Sequence, residues 1–264
     1  LVTKQPSSGC KAAAWRYPEM RALLMEAGGL VSVEEAERRV LVLENPMFAG
    51  QSRITTSLYA GMQLVLPGER ARSHRHTQSA LRFVLEGTGA YTAVGGERTP
   101  MYPGDFIITP SWEWHDHGND TPDPVIWLDG LDIPLVQALD ASFMEHLGAV
   151  EQPVTRPVGD SFARYGSNLL PVDHRSSGLT SPVFSYPYAR TREALETLRR
   201  NGEPDPCHGY KMRFVNPVTG GFAMPTIATF MQLLPRGLTT QPYRSTDATV
   251  FTPVEGEGRT HIGG

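Results

Sequence analysis

The stretch SHRHTQSALRF, residues 73–83, sets His74 and His76 two apart and places Arg82 an even number of steps further on. On a β-strand, residues i and i+2 face the same way. The two imidazoles would then stand side by side, and neutral imidazole is a common metal ligand. A third histidine would complete a metal-binding face, and His115 and His117 in WEWHDHGN are the candidates. Read alone, either H-x-H pair serves as well as a solvated or core pair. Arg82 shares the parity of His76, so without an intervening bulge it shares that strand face. A fixed guanidinium there matches a carboxylate through two parallel hydrogen bonds; a surface ion pair is the plainer alternative. His117, two beyond His115, would sit beside an ion rather than on it, as an acid or base near neutral pH. A solvated loop histidine is its alternative.

These residues sit in a chain of ordinary globular composition. Of 264 residues, 40% are apolar and 20% charged, with a formal net charge of -4. Length suffices for a buried core in one or two domains. The weak acidity gives no support for nucleic-acid binding, which usually needs a basic face. No run approaches the roughly 18 consecutive apolar residues of a membrane span, and LVTKQPSSGCKAAAW lacks the apolar centre of a signal peptide. Cys10 and Cys207, far apart, form no disulfide framework, so the default is a cytoplasmic protein with reduced thiols. The absence of an initial Met and the stop at His261-Ile-Gly-Gly, soon after an apparent strand, read as ends inside a longer protein.

The elements that must position the histidines come next. Residues 18–27 (PEMRALLMEA) form an amphipathic helix closed by Gly28-Gly29, and Ser32 caps a second helix through VEEAERR. From about Thr55, short β-prone runs (TTSLYA, MQLVL, ALRFVLEG, GAYTAV, FIITP, PVIWLDG) alternate with turn signals. That texture indicates an antiparallel sandwich or barrel. Val94-Gly95-Gly96-Glu97 reads as a two-residue hairpin turn. Residues 134–147 (PLVQALDASFMEHL) read as helical with Asp132 as a cap, and 191–200 (TREALETLRR) as a further helix.

The β texture then repeats. A constant shift of 169 residues aligns Met62-Gln63-Leu64 with Met231-Gln232-Leu233, Gly68 with Gly237, Glu86-Gly87 with Glu255-Gly256, and Gly89 with Gly258. The unit is too long for a solenoid, so two copies of one β domain are expected. Tyr243 and Ser245 fall where His74 and His76 stand in the first copy. The second copy therefore lacks the site, and one metal per chain follows.

The spacing of glycines around the histidines is similar to that of the cupins. Gly68, five residues, His74-x-His76 and a later Gly87 resemble the first cupin motif. Gly104, five residues, Pro110, then His115, three residues and Asn119 resemble the second. Two positions depart from the pattern. Ala80 stands where cupins often carry a glutamate ligand, and Trp112 where they usually have glycine. A site of three neutral imidazoles leaves an ion its full double charge and several open positions. Zinc is chemically compatible; open-faced sites also suit non-heme iron that binds substrate and dioxygen. Such an ion favours an anionic, chelating substrate.

With these motifs, the chain resembles the gentisate 1,2-dioxygenases and the wider bicupin group that cleaves salicylate and 1-hydroxy-2-naphthoate. The resemblance runs through AERRVLVLENP (36–46), SLYAGMQLVLPGE (57–69), residues 73–101, GDFIITPSWEWHDHGN (104–119), PVIWLDGLD (124–132) and GYKMRFVNPVTGG (209–221). It implies a mainly β bicupin of two jelly-roll barrels with N-terminal and linker helices, the second barrel truncated in this chain. The expected organisation is a helical arm (1–50), a catalytic cupin (51–147), a linker with a helix (148–224) and the start of a non-metal cupin (225–264). It also implies one Fe(II) per chain, held by His74, His76 and His115, and conversion of gentisate and dioxygen to maleylpyruvate in aromatic catabolism. A homotetramer follows by family analogy, with no nucleic-acid or membrane partner. The family's catalytic positions match Gln63, His117 and Asp129, and its substrate contacts match Arg82 and Gln63, with Tyr59, Trp112 and Trp127 as pocket walls. Asp129 would orient His117 or bind the ring's second hydroxyl; Gln63 would hydrogen-bond substrate or oxygen. Arg38 and Arg39 read first as a solvated helix face, with reach into the pocket as the alternative. His146, His174, His208 and His261 lack ligand spacing. The rival of another class is a non-catalytic bicupin that binds a metal or an aromatic acid.

Overall fold

The computed structural model describes residues 2–175 and 178–263. The arm holds α1 (Tyr17–Leu30) and the single turn α2 (Val33–Ala36), followed by β1 (Val40–Val42). The barrel strands are β2 (Tyr59–Val65), β3 (Arg70–His76), β4 (Ala80–Glu86), β5 (Tyr91–Val94), β6 (Glu97–Pro100), β7 (Phe106–Thr109), β8 (His115–Gly118) and β9 (Val125–Leu131). Then come α3 (Ile133–Ala138), β10 (Met144–His146), α4 (Asp160–Tyr165), β11 (Ser185–Tyr186), α5 (Tyr188–Asn201), β12 (Tyr210–Arg213) and β13 (Phe230–Leu233).

Two antiparallel sheets face each other, one in the order β1-β2-β9-β4-β7-β11 and the other β10-β3-β8-β5-β6. From β2 to β9 the chain repeatedly crosses between them, which is the jelly-roll solution to an exposed sheet edge. The edges of the six-stranded sheet come from outside residues 51–147: β1 leaves the arm to pair with β2, and β11 leaves the linker to pair with β7. The β5–β6 hairpin closes as its sequence requires. Val94 pairs with Glu97, and Gly95 and Gly96 take φ of 50° and 83°, the paired positive values of a two-residue turn.

The six-stranded sheet is covered on both faces, which aims one face of every strand into the barrel. Outside, α1 lays Leu24 on Ala60, Met62, Leu64 and Ile126. Full burial of one such leucine stabilises by about 1.5–3 kcal/mol. Arg21 and Tyr17 of the same helix hold Glu86 at 2.6 and 2.7 Å. Phe214, Met224 and Ile227 cover Phe106 and Ile108. Inside, Val84, Met101, Ile107 and Trp127 fill the floor.

Three helical expectations change. α1 runs through Gly28 and Gly29 to Leu30, because docking on the sheet outweighs the glycines' weak preference for helix. Ser32 does cap α2, with a full capping box to Glu35, but that helix ends at Ala36 rather than running through to Arg39. Residues 134–147 split: α3 stops at Ala138, and Met144–His146 become a strand on β3. Asp132 precedes α3 without capping it. Its carboxylate accepts instead from Ser79 N and Thr226 Oγ1 at 2.9 and 2.5 Å.

The repeat is visible in part of the backbone, though Gly258 lacks the 89° φ of its counterpart Gly89. β13 carries Met231-Gln232-Leu233, the counterpart of Met62-Gln63-Leu64 in β2, and pairs with β12 in a separate two-stranded sheet. Gly237 and Gly256 adopt φ of 80° and 73°, near the 78° and 88° of Gly68 and Gly87. Beyond β13 the described residues form no further strand. Among the described residues no helix is long and apolar enough to cross a membrane.

Candidate active site

β3 brings His74 and His76 into the barrel, and β8 brings His115 directly opposite His74. A bulge between Ala71 and His74 shifts the register there, so His117 falls opposite Ala71. The three imidazoles are 2%, 6% and 0% exposed, and their ligand atoms lie within 4.8 Å of one another. Each Nδ1 meets a backbone carbonyl: Arg72 O at 2.8 Å, Gln78 O at 2.9 Å and Glu113 O at 3.0 Å. A carbonyl only accepts, so each Nδ1 carries the hydrogen. Each Nε2 is left as a bare lone pair, buried and without a partner. Orphaned buried acceptors are rare and call for an explanation. A metal ion supplies one, because metal-ligating histidines characteristically donate their other N–H to such a partner.

The site's electrostatics agree. Burial pushes His74 down to about 2 and His76 to about 4, helped in both by the nearby charge of Arg38. His115 lies well below its usual value, again by burial first and then by His74. All three are therefore neutral, the ligating form. Ala80, at the position of the expected glutamate, is buried and brings no carboxylate. Among the described residues no other group of His, Cys, Asp and Glu converges this way. Three nitrogen donors with no carboxylate fit a divalent ion that keeps open positions.

Arg82 reaches the site by a route its parity does not reveal. The chain turns after His76, and Arg82 lies on β4, in the opposite sheet. It faces the histidines across the barrel instead of standing beside them. It is fully enclosed, with Nη1 donating to Thr109 Oγ1 at 2.6 Å and Nη2 lying 3.2 Å from His117 Nε2. Burial lowers it to about 10, so it stays charged at neutral pH. Its Cα partner across the sheet is Asp129, and Arg82 Nε stands 3.5 Å from Asp129 Oδ1. Burial holds the Asp129 carboxyl above its ordinary value despite that guanidinium.

The remaining candidates divide. His117 is wholly buried, with Nδ1 2.9 Å from Thr92 Oγ1, and its ring lies 5.2 Å from Trp127. Trp127 is thus a wall behind His117. Gln63, the cross-strand neighbour of Trp127, is buried with Nε2 unpartnered. Tyr59 folds over Gly61, where an added Cβ would come within 2.7 Å of its hydroxyl; burial and the Asp129 charge raise its phenol. Trp112 is not brought to the triad. Its ring packs on Phe143 at 4.7 Å and under the Arg75 guanidinium at 4.4 Å, and Arg75 alternates with the two histidines along β3. Arg38 and Arg39 part company. Arg39 is buried against Gly28 O and the Glu69 carboxylate. Arg38 lies close enough to the site for its charge to depress His74, His76 and Arg82. Sequence reasoning passed over Thr92 and Thr109, whose inward facing depends on pairings between distant strands. It undervalued Arg38, whose proximity to β1 was the available signal.

The Cupin domain family matches residues 61–131, the span of both sheets' central strands. The chain is 59% identical to gentisate 1,2 dioxygenase 1 of Aquipseudomonas alcaligenes over 100% of its own length and 76% of that relative's. It is 42% identical to a Ralstonia gentisate 1,2-dioxygenase over 99% of this chain and 73% of the relative. The solved salicylate 1,2-dioxygenase of Pseudaminobacter salicylatoxidans superposes with a TM-score of 0.79 at 36% identity, covering 86% of this chain and 67% of that one. With full-length similarity of this order and the three-histidine barrel in place, the chain belongs to the gentisate 1,2-dioxygenase family.

Proposed function

We propose that this chain cleaves the ring of gentisate, 2,5-dihydroxybenzoate, with dioxygen to give maleylpyruvate. Fe(II), one per chain, is held by His74, His76 and His115. The observation that carries the reading is the set of three bare, buried Nε2 atoms facing a buried cation, Arg82, inside one barrel. When bound, the iron supplies a chelating centre for the carboxylate and adjacent hydroxyl and a path for electrons from ring to dioxygen.

The chain's own residues do the rest. Arg82 receives the carboxylate, with Nε still without a hydrogen-bond partner, and the Arg38 charge adds to the attraction. His117 Nε2 accepts from the neighbouring ring hydroxyl. Asp129 is separated from His117 by Arg82 in its contacts, so the second hydroxyl is its better partner. The free Gln63 N–H would be available to hydrogen-bond substrate or oxygen. Tyr59 and Trp127 bound the ring's space and keep water out. Orientation of this kind is what the protein contributes. The bond between the carboxyl-bearing and hydroxyl-bearing carbons breaks, and both oxygen atoms enter the product. A cytoplasmic location and a homotetrameric assembly belong to the same reading, which family likeness supports.

The test is oxygen uptake with gentisate after anaerobic Fe(II) reconstitution, read together with product absorbance. Salicylate and 1-hydroxy-2-naphthoate are run in parallel, since small pocket differences decide among them. Anaerobic mixing should give a substrate complex and no ring opening. Turnover without oxygen, or undiminished turnover in His115→Ala, overturns the proposal. Retained iron without oxygen uptake on any of the three acids favours a non-catalytic metal-binding barrel.

A further inference from the structure

Four buried imidazoles share this barrel, and one differs from the other three. His74, His76 and His115 are each oriented by a backbone carbonyl, whereas His117 Nδ1 meets a side chain, Thr92 Oγ1, at 2.9 Å. Thr92 is the cross-strand partner of His117 on β5 and is 0% exposed. A hydroxyl can donate or accept, so this contact alone does not say which His117 nitrogen carries the hydrogen.

Its neighbours decide that. On the far side of the ring, His117 Nε2 faces Arg82 Nη2 at 3.2 Å, and a guanidinium only donates. Nε2 is therefore the acceptor, and Nδ1 carries the hydrogen and donates to Thr92. The hydroxyl hydrogen of Thr92 must go elsewhere. Met101 Sδ, buried at 3.4 Å, is the acceptor that takes it. The chain Arg82, His117, Thr92, Met101 thus runs in one direction, each member donating to the next.

We propose that Thr92 is a positioning residue that holds His117 in the tautomer with a bare Nε2. A ring of that form accepts a hydrogen bond from a substrate hydroxyl; the other tautomer would meet the hydroxyl with a second donor. Arg82 imposes the same tautomer only while its guanidinium faces His117. A substrate carboxylate competes for that guanidinium, and Thr92 is the partner that does not depend on substrate. The kinetic part rests on the proposed ring cleavage; the tautomer itself does not.

The experiment uses Thr92→Val, which keeps shape and loses the hydroxyl, and Thr92→Ser, which keeps the hydroxyl and loses a methyl. In the iron-loaded enzyme with gentisate, Thr92→Val should lower kcat at least about tenfold with KM little changed, and Thr92→Ser should restore most of it. A packing role reverses that order, because serine is the poorer filler. Thr92→Val at wild-type kcat, or serine no better than valine, overturns the proposal. The independent readout is long-range 1H–15N correlation of histidine side chains in the zinc-loaded, diamagnetic protein. With gentisate bound, so that its carboxylate engages Arg82, the wild type should show His117 with hydrogen on Nδ1, and Thr92→Val a mixture or the reverse. A wild-type His117 protonated on Nε2 also overturns it. If gentisate is not turned over but the tautomers behave as stated, the ring-cleavage reading fails and the positioning role stands.

Discussion

Arg82 and Asp129 are direct partners across β4 and β9, yet their charged atoms stop at 3.5 Å and form no hydrogen bond. Two buried opposite charges this close usually complete their pairing, since an unsatisfied buried charge is costly. Here Arg82 spends two nitrogens on Thr109 and His117 and keeps Nε open, while Asp129 keeps Oδ1 open. Under the proposed function one ligand would match both open atoms: a carboxylate for Arg82 and a hydroxyl for Asp129. The arrangement is paired loosely enough to hold charge and tightly enough to stay oriented.

Arg82→Lys keeps the charge but not the planar fork. Loss of one charge-assisted hydrogen bond, about 1.5–3 kcal/mol, lowers kcat/KM for gentisate roughly 10- to 150-fold. Most of the change should appear in KM if the contact holds the carboxylate in the ground state. Steady-state oxygen uptake measures it; an unchanged KM removes Arg82 from substrate binding.

The three orphaned Nε2 atoms make metal part of stability as well as of chemistry. A ligand that binds only the folded state stabilises by RT ln(1 + [L]/Kd), about 2.7 kcal/mol at a hundredfold excess over Kd. Chelation should therefore lower the melting temperature, and Fe(II) or Zn(II) should restore it at one ion per chain. In His115→Ala the metal content should fall to near zero and the chelator should no longer move the melting temperature. A chelator-insensitive wild type would contradict the site.

Much of this site was legible in the sequence, and the illegible part has one cause. His74, His76 and His115 could be found because motif spacing is local: two residues along a strand, and five from a turn glycine to the next landmark. Parity points to Arg82 too, but for a reason that fails, since Thr77-Gln78-Ser79 separates β3 from β4, which begins at Ala80 in the other sheet. The even count coincides with the right outcome because both sheets aim inward. Thr92 and Thr109 were invisible because only the pairings of β5 with β8 and β4 with β7 bring them to the site. Residues 134–147 read as one helix because amphipathic spacing there cannot foresee that the edge of β3 away from β8 is open to a strand, which Met144–His146 provide.

Trp112 shows a motif position surviving the loss of its glycine. It holds φ of 63°, the left-handed conformation that glycine would adopt without strain, and donates its N–H to His76 O at 2.8 Å. For a side chain this costs about 1–2 kcal/mol, offset in part by the stack on Arg75, worth about 0.5–1 kcal/mol at an exposed site. Trp112→Ala loses the stack and keeps the strain, whereas Trp112→Gly loses both. The glycine variant should be the more stable of the two by about 1 kcal/mol in chemical denaturation. Alanine equal to or above glycine would show that the strain is not real.

The two cupin glycines Gly68 and Gly87 separate backbone conformation from available space. Both have positive φ, 78° and 88°. A Cβ on Gly68 meets nothing within 4 Å, whereas one on Gly87 meets Pro124 O at 2.5 Å and Val125 Cα at 2.9 Å. Gly68→Ala therefore bears only the left-handed penalty, about 1–2 kcal/mol. Gly87→Ala adds a clash with backbone that no rotamer change relieves, and overpacking of this kind costs a further 1–3 kcal/mol, approximately. Gly87 directly follows β4 and packs on Val125 of β9, and these paired strands carry Arg82 and Asp129. Gly87→Ala should thus lower both stability and kcat/KM, while Gly68→Ala should lower stability alone. Equal effects of the two on denaturation midpoints would refute the role assigned to space.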